Sequence, residues 1–238
     1  VNGRWRVATE RMLLAMPETG IGLFPDVGAT RFLNLCPGQI GSWLGLTGAR
    51  IGAADALYCG FATHVVPRER VPALVAALAV STEIEDTLAA FAGDPGEPPL
   101  IARRAAIDRC FAGGSVEAIL EALAAEAAGG GADAEWAADT RAGLLLKSPT
   151  SLKITLQQLT IGRGCDIEAA LELEYRLTQH VMQNHDFYEG VRAALIDRDQ
   201  HPRWRPATLA QVTDAMVAAY FAPLGDRELR LDRRAARC

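Results

Sequence analysis

Two carboxylates in the stretch MPETGIGLFPDVGAT, residues 16–30, stand where chemistry needs them. Glu18 and Asp26 each follow a proline directly and lie eight positions apart, with only apolar, small or hydroxyl residues between them. No basic residue in the stretch offers either acid a partner. Lodged beside Met16, Leu23 and Phe24, a carboxylate is poorly solvated and its pKa rises. That is the condition for a proton carrier or a nucleophile working near neutral pH. Fully extended, eight residues span about 26–29 Å, too far for both acids to meet one substrate. Gly20, Gly22 and Pro25 supply the turning that shortens this distance, and each preceding proline fixes one φ angle next to an acid. Two readings stay open at this point: a catalytic carboxylate pair, or two ordinary turn residues on a surface loop.

Other chemistries find less support. The Gly-Ile-Gly and Gly-Arg-Gly runs lack the flanking spacing of a dinucleotide fingerprint, and there is no phosphate-loop pattern. His180 and His185 are five apart and do not share a helix face, so no metal site is expected. His64 alternates with apolar neighbours and reads as structural, and no Ser or Cys lies in a nucleophile-elbow pattern. A net charge of −5 argues against nucleic acid and anionic membrane as partners. The five cysteines are widely spaced and odd in number, which reads as reduced thiols in a cytoplasm-like compartment. No apolar run reaches the ~18 residues of a membrane span. The opening VNGRWRVATE is polar and strand-like, unlike a signal peptide, and reads as the inside of a domain.

The elements that must position the acids follow from periodicity. Residues 4–8, 12–16 and 61–66 read as strands, and 37–48 and 53–60 as helices closed by Gly48 and Gly60. Beyond Pro67 the pattern is helical over 71–91, 100–111, 116–128 and 133–147. Ser115 is expected to cap the third of these, and a GDPGEPP breaker separates the first two. Ser151 is expected to cap a helix carrying Leu152, Leu156 and Leu159. Residues 166–182 should present Ile167, Leu171, Tyr175 and Val181 on one face. Asp186 and Glu189 have capping-box spacing, and residues 226–238, with alternating charge, read as a frayed end. The expected organisation is an α/β, sheet-containing segment over 1–66 followed by a helical region over 67–238.

AMPETGIGLFPDVGATRFL followed by LGLTGARIGAADALYCGFATHVV resembles the crotonase (enoyl-CoA hydratase/isomerase) superfamily. Two features point to its 3-hydroxyisobutyryl-CoA hydrolase branch. Asp26 stands where hydratases usually carry glycine, and SPTSLKITLQQL with HDFYEGVRA is similar to the hydrolases' C-terminal region. The likeness covers most of residues 1–209 and is weakest over 80–135. GATRF departs from the hydrolases' glycine-rich run, with Arg31 at that edge of the pocket.

The resemblance implies a spiral of β-β-α turns, incomplete at its N-terminus, followed by a helical region. It implies an acyl-CoA thioester substrate, no metal and no cofactor besides the CoA of the substrate. Carried over, Glu18 matches the catalytic glutamate and Asp26 the second acid of the hydrolases; Glu18, Asp26, Met16 and Phe24 are the expected substrate-binding residues. In the family the oxyanion donors lie upstream of the position matching Val1. An N-terminal segment, a partner chain or a second copy is therefore expected to complete the site. The leading expectation is hydrolysis of a short 3-hydroxyacyl-CoA, as in valine breakdown. The alternatives are an enoyl-CoA hydratase or isomerase, and a non-catalytic subunit of the same fold. Lys153 and Arg192 lie in family-like segments, where solvated positions explain them as well as CoA contact does.

Overall fold

The computed structural model describes residues 1–231, so seven of the expected frayed residues lie outside it. The strands are far shorter than the sequence suggests. Only β1 (Val7–Ala8) and β2 (His64–Val65) form a sheet, paired in parallel with Val7 opposite His64 and Ala8 opposite Val65. The expected strand over 12–16 contributes a single antiparallel bridge from Leu14 to Ile51. The apolar residues of these segments suit extended backbone, but a ladder needs a neighbour at each step, and the described residues supply few.

The rest is helical. α1 (Ala29–Phe32), α2 (Ile40–Thr47) and α3 (Ala53–Tyr58) lie between the strands, with Gly48 ending α2 at φ 67° as its position required. α4 (Val71–Leu78) and α5 (Ile84–Phe91) replace the single helix expected over 71–91. The break falls where the Ser81 hydroxyl accepts the Glu83 N–H at 3.0 Å, offering the backbone a local alternative to the helix. α6 (Pro99–Cys110), α7 (Val116–Ala128) and α8 (Ala134–Leu145) follow, and Ser115 caps α7 by accepting the Ala118 N–H.

α9 (Pro149–Ile161) is capped by Ser148, which accepts the N–H of Ser151, so the expected cap is the residue that is capped. Pro149 at the first helical position explains the offset, since it needs no hydrogen-bond acceptor there. α10 (Ile167–Val181) turns a different face inward than its largest apolar residues suggest. Ala170, Leu173, Glu174, Leu177 and Val181 are buried. α11 (His185–Val191) starts without the expected capping box, and α12 (Asp214–Tyr220) ends the helices. The charged end is partly docked: Glu228 pairs with Arg176 at 2.9 Å, and the Leu231 N–H reaches Glu172.

One core binds the early and late parts together, with Phe32, Leu33, Ile40 and Leu44 packed in the same cluster as Ile107, Ile119, Leu123 and Leu152. A second cluster joins Phe24 to Ile154 on α9 and Leu173, Leu177 and Val181 on α10. Full burial of such a side chain contributes on the order of 1.5–3 kcal/mol, so Phe24 anchors the acid-bearing stretch to two helices.

α11 meets the same stretch backbone to backbone. A Cβ on Gly190 would lie 2.3 Å from the Ile21 carbonyl, and one on Gly22 would lie 2.2 Å from the Asp186 carbonyl oxygen. Both positions therefore demand glycine. Asp186 is 6% exposed and is used elsewhere than in a cap. It accepts the Ser148 hydroxyl at 2.6 Å and the Arg205 N–H at 2.8 Å, linking α11 to the start of α9.

Removing that acceptor leaves a buried hydroxyl and an amide unsatisfied, at about 1–3 kcal/mol for each group. Asp186→Ala is expected to lose roughly that much stability in urea denaturation, and Asp186→Asn to lose less. Equal stability of Asp186→Ala and the parent would remove the link.

Candidate active site

Glu18 opens a short 3-10 turn, Glu18–Ile21, set by Pro17 before it and by Gly22 after it at φ 73°. The Thr19 hydroxyl donates to the Leu46 carbonyl at 3.0 Å, and the Ser148 N–H donates to the Thr19 carbonyl at 3.1 Å. The turn is thus pinned to α2 on one side and to the start of α9 on the other. Its carboxylate is less well served. Glu18 Oε2 is buried with no hydrogen-bond partner, and no ion pair to Glu18 occurs among the described residues. Burial pushes the Glu18 pKa up to about 7, opposed by its own backbone amide and assisted by repulsion from Asp26. The nearest amine to the turn belongs to Lys147, whose Nζ lies 3.2 Å from where a Gly20 Cβ would stand. Burial lowers the pKa of that amine.

Asp26 lies within electrostatic reach of Glu18, and burial raises its pKa as well. The sequence proposed that the intervening glycines and proline shorten the distance between the acids; repulsion from Asp26 is the last of the causes acting on the Glu18 pKa. Immediately after Asp26 the backbone takes an unusual course, since Val27 has φ 55° and Gly28 has φ 90°. A β-branched residue in the left-handed region is a genuine outlier, costing on the order of 1–3 kcal/mol. Val27 is 62% exposed, so no burial of its side chain offsets that cost.

Side chains from distant elements hold this loop. The Gln158 amide on α9 donates to the Pro25 carbonyl at 2.7 Å and to the Thr30 hydroxyl at 2.8 Å. The Asn2 amide donates to the Val27 carbonyl at 2.8 Å. The Glu174 carboxylate on α10 accepts the N–H groups of Gly28 at 2.7 Å and Thr30 at 2.9 Å. Glu174 is 4% exposed. Burial raises its pKa, the two amides and the Thr30 hydroxyl oppose the rise, and Asp26 adds to it.

Met16 and Phe24, expected to bind substrate, lie in the two core clusters at 8% and 0% exposure. Phe24 is enclosed by α9 and α10 and acts on the site through the backbone it anchors. Lys153 and Arg192 are already engaged. Lys153 pairs with Glu117 at 2.7 Å and donates to the Val212 carbonyl, and Arg192 binds Glu189, Asp197 and Asp199. A cavity of about 590 Å³ between α7, α9 and α12 includes neither acid in its lining.

Sequence reasoning missed Glu174 and Gln158. A signal for Glu174 was present: it sits among Ala170, Leu173, Leu177 and Val181 at helical spacing, a charge on an apolar face.

The chain matches the model of the enoyl-CoA hydratase/isomerase family over residues 1–221. It is 43% identical over 247 residues to the mitochondrial 3-hydroxyisobutyryl-CoA hydrolase of Danio rerio, covering 97% of this chain and 62% of that protein. To the probable 3-hydroxyisobutyryl-CoA hydrolase 2 of Arabidopsis thaliana it is 44% identical over 237 residues, covering 95% and 62%. It therefore spans about three fifths of the length of these curated relatives. The mitochondrial name of the zebrafish protein lends no support to the cytoplasmic compartment expected here. Among solved structures, a carnitinyl-CoA dehydratase from Mycobacterium thermoresistibile superimposes with a TM-score of 0.88 at 39% identity, covering 98% of this chain and 65% of that one. An enoyl-CoA hydratase from Rhodobacter sphaeroides 2.4.1 gives a TM-score of 0.85 at 40% identity, covering 96% and 65%.

The raised Glu18 pKa has a thermodynamic consequence. Folding favours the protonated acid, so its contribution to stability falls as pH rises from the ordinary value of 4.5 to about 7. Glu18→Gln should therefore melt above the parent at pH 8, with the gap closing as pH falls through that window. A gap independent of pH would rule out a Glu18 whose pKa is raised by burial of its carboxylate.

Proposed function

The chain belongs to the enoyl-CoA hydratase/isomerase family, and from that premise we propose that it carries the catalytic acids of a 3-hydroxyacyl-CoA thioester hydrolase. The proposed substrate is 3-hydroxyisobutyryl-CoA or a similar short 3-hydroxyacyl-CoA, the substrate in the names of the relatives from zebrafish and Arabidopsis. The crotonase fold holds the acids. The observation that carries the reading is Glu18 itself: its Oε2 is buried without a hydrogen-bond partner and its pKa is raised to about 7, with Asp26 on a clamped loop adding repulsion.

Near neutral pH about half of Glu18 is ionised, which suits a carboxylate that must take a proton or attack a carbonyl and then be regenerated. Two courses lead to the same products. As a base, Glu18 removes a proton from water as its oxygen bonds to the thioester carbonyl carbon. As a nucleophile, Glu18 forms an anhydride that water then opens. In both, the C–S bond breaks, the thiolate of CoA receives a proton, and the hydroxy acid is released. Asp26 orients the water or the 3-hydroxyl group. The oxyanion falls to backbone N–H groups of a segment or chain other than the acid-bearing stretch, and each such donor is worth about 3–4 kcal/mol when lost. The chemistry needs carboxylates and water, with CoA entering as part of the substrate.

A second reading, hydration or isomerisation of an enoyl-CoA, is favoured by the names of the two similar solved structures. Asp26 separates the two, because the resemblance associates an acid at this position with thioester cleavage.

The test is release of free CoA from 3-hydroxyisobutyryl-CoA, read with a thiol reagent, beside loss of enoyl absorbance from an enoyl-CoA. Thiol release is expected, with kcat/KM rising with pH through about 7 as Glu18 ionises. Glu18→Gln should cost about 10²–10⁴-fold. Asp26→Gly should abolish hydrolysis while substrate binding is partly retained. Enoyl turnover without thiol release would establish the second reading instead.

A further inference from the structure

Among the buried carboxylates that the mechanism above leaves unused, Glu174 is the one bonded to the loop after Asp26. We propose that Glu174 is a positioning residue for Asp26, holding the turn after it and so fixing the backbone from which Asp26 projects. The inference rests on Asp26 being a working acid of the site.

The argument starts from cost. Taking a carboxylate out of water costs several kcal/mol, and only good donors offset it. On the inward face of α10, among Ala170, Leu173, Leu177 and Val181, an apolar side chain would pack without that penalty. What a carboxylate offers there is two acceptor oxygens at once. One takes the Gly28 N–H at 2.7 Å and the other takes the Thr30 N–H at 2.9 Å. Glutamine could not replace it, because its amide nitrogen would point a donor at one of two donors.

The location of those amides matters more than their number. The Gly28 N–H belongs to the peptide that follows Val27, the residue held at φ 55°. A strained conformation persists only where its surroundings over-determine it. Glu174 holds the strained peptide from its N–H side, and Asn2 holds the Val27 carbonyl. Gln158 secures the Pro25 carbonyl on the other side of Asp26, and the Asp26 carbonyl accepts the Ala29 N–H at 3.0 Å. The backbone on both sides of Asp26 is therefore tied down. Glu174 supplies the ties that lie beyond the strained residue, from 146 and 144 positions away in sequence.

The experiment compares Glu174→Gln with the parent in two independent readouts. In the first, amide resonances of residues 26–30 are followed by ¹⁵N–¹H correlation spectra. The Gly28 and Thr30 amides should move upfield and exchange faster as their charged acceptor is lost. In the second, thioester hydrolysis should lose kcat by up to about 10²-fold with KM nearly unchanged, the pattern of a misplaced catalytic group. A scaffold role alone would lower the melting temperature and leave kcat intact below it, and that result overturns the proposal. If Glu174→Gln does not fold, Glu174→Asp keeps the charge but is one methylene shorter, and the same pair of readouts is expected at smaller amplitude. If the parent, assayed with the segment or partner that completes its site, releases no CoA, the hydrolase reading fails. The spectra then decide the clamp alone, and unchanged Gly28 and Thr30 amides would overturn it.

Discussion

A carboxylate kept from water must either find donors or take up a proton, and this structure contains both outcomes within one site. Glu174 finds its donors in the backbone of the loop after Asp26 and serves as an anchor. Glu18 has an oxygen with no donor at all and is pushed toward neutrality. The difference between the two acids lies in the supply of N–H groups. That supply depends on α10 docking with the face that carries Glu174. Leu173, Leu177 and Val181 on the same face bury Phe24, so one packing event sets the helix, anchors the acid stretch and delivers the clamp.

The other side of the site depends on close backbone approach. Gly22 and Gly190 let the Glu18 turn and α11 touch without intervening side chains. Asp186 then connects α11 to Ser148, the residue that caps α9 and lies next in the chain to Lys147. α9 in turn carries Gln158 to the loop. The helical part of the chain is therefore the frame that determines where the two acids point. The stretch from 16 to 30 contributes the acids, the glycines and the strain, and α9, α10 and α11 contribute the constraint.

Much of this was legible before folding was considered. The helices over 99–145 followed from periodicity and breakers, and Ser115 and Gly48 marked true termini. Glu18 and Asp26 were identifiable from their apolar setting, and their family from the residues around them. The failures are as informative. Strands were over-read because a short apolar run records at most a preference for extended backbone, whereas a ladder also requires partners. The cap of α9 was displaced by three residues because Pro149 can begin a helix. Asp186 and Glu189 had the spacing of a capping box, but Asp186 was recruited by the distant Ser148, and Glu189 by Arg192 one turn on and by the Arg203 N–H.

The sequence by itself determined the identity of the acids, the prolines and glycines that let them approach, and the apolar residues that raise their pKa values. Those are local properties, carried by side-chain chemistry and by φ preferences over a few residues. Only the tertiary structure decided which buried carboxylate oxygens would find donors and which would not. Glu174 lies 148 positions from Asp26 in the chain, and no local rule predicts that its oxygens will meet the Gly28 and Thr30 amides. Hydrogen-bond supply to a buried charge is a property of packed neighbours, and it exists only once α10 has closed over the loop.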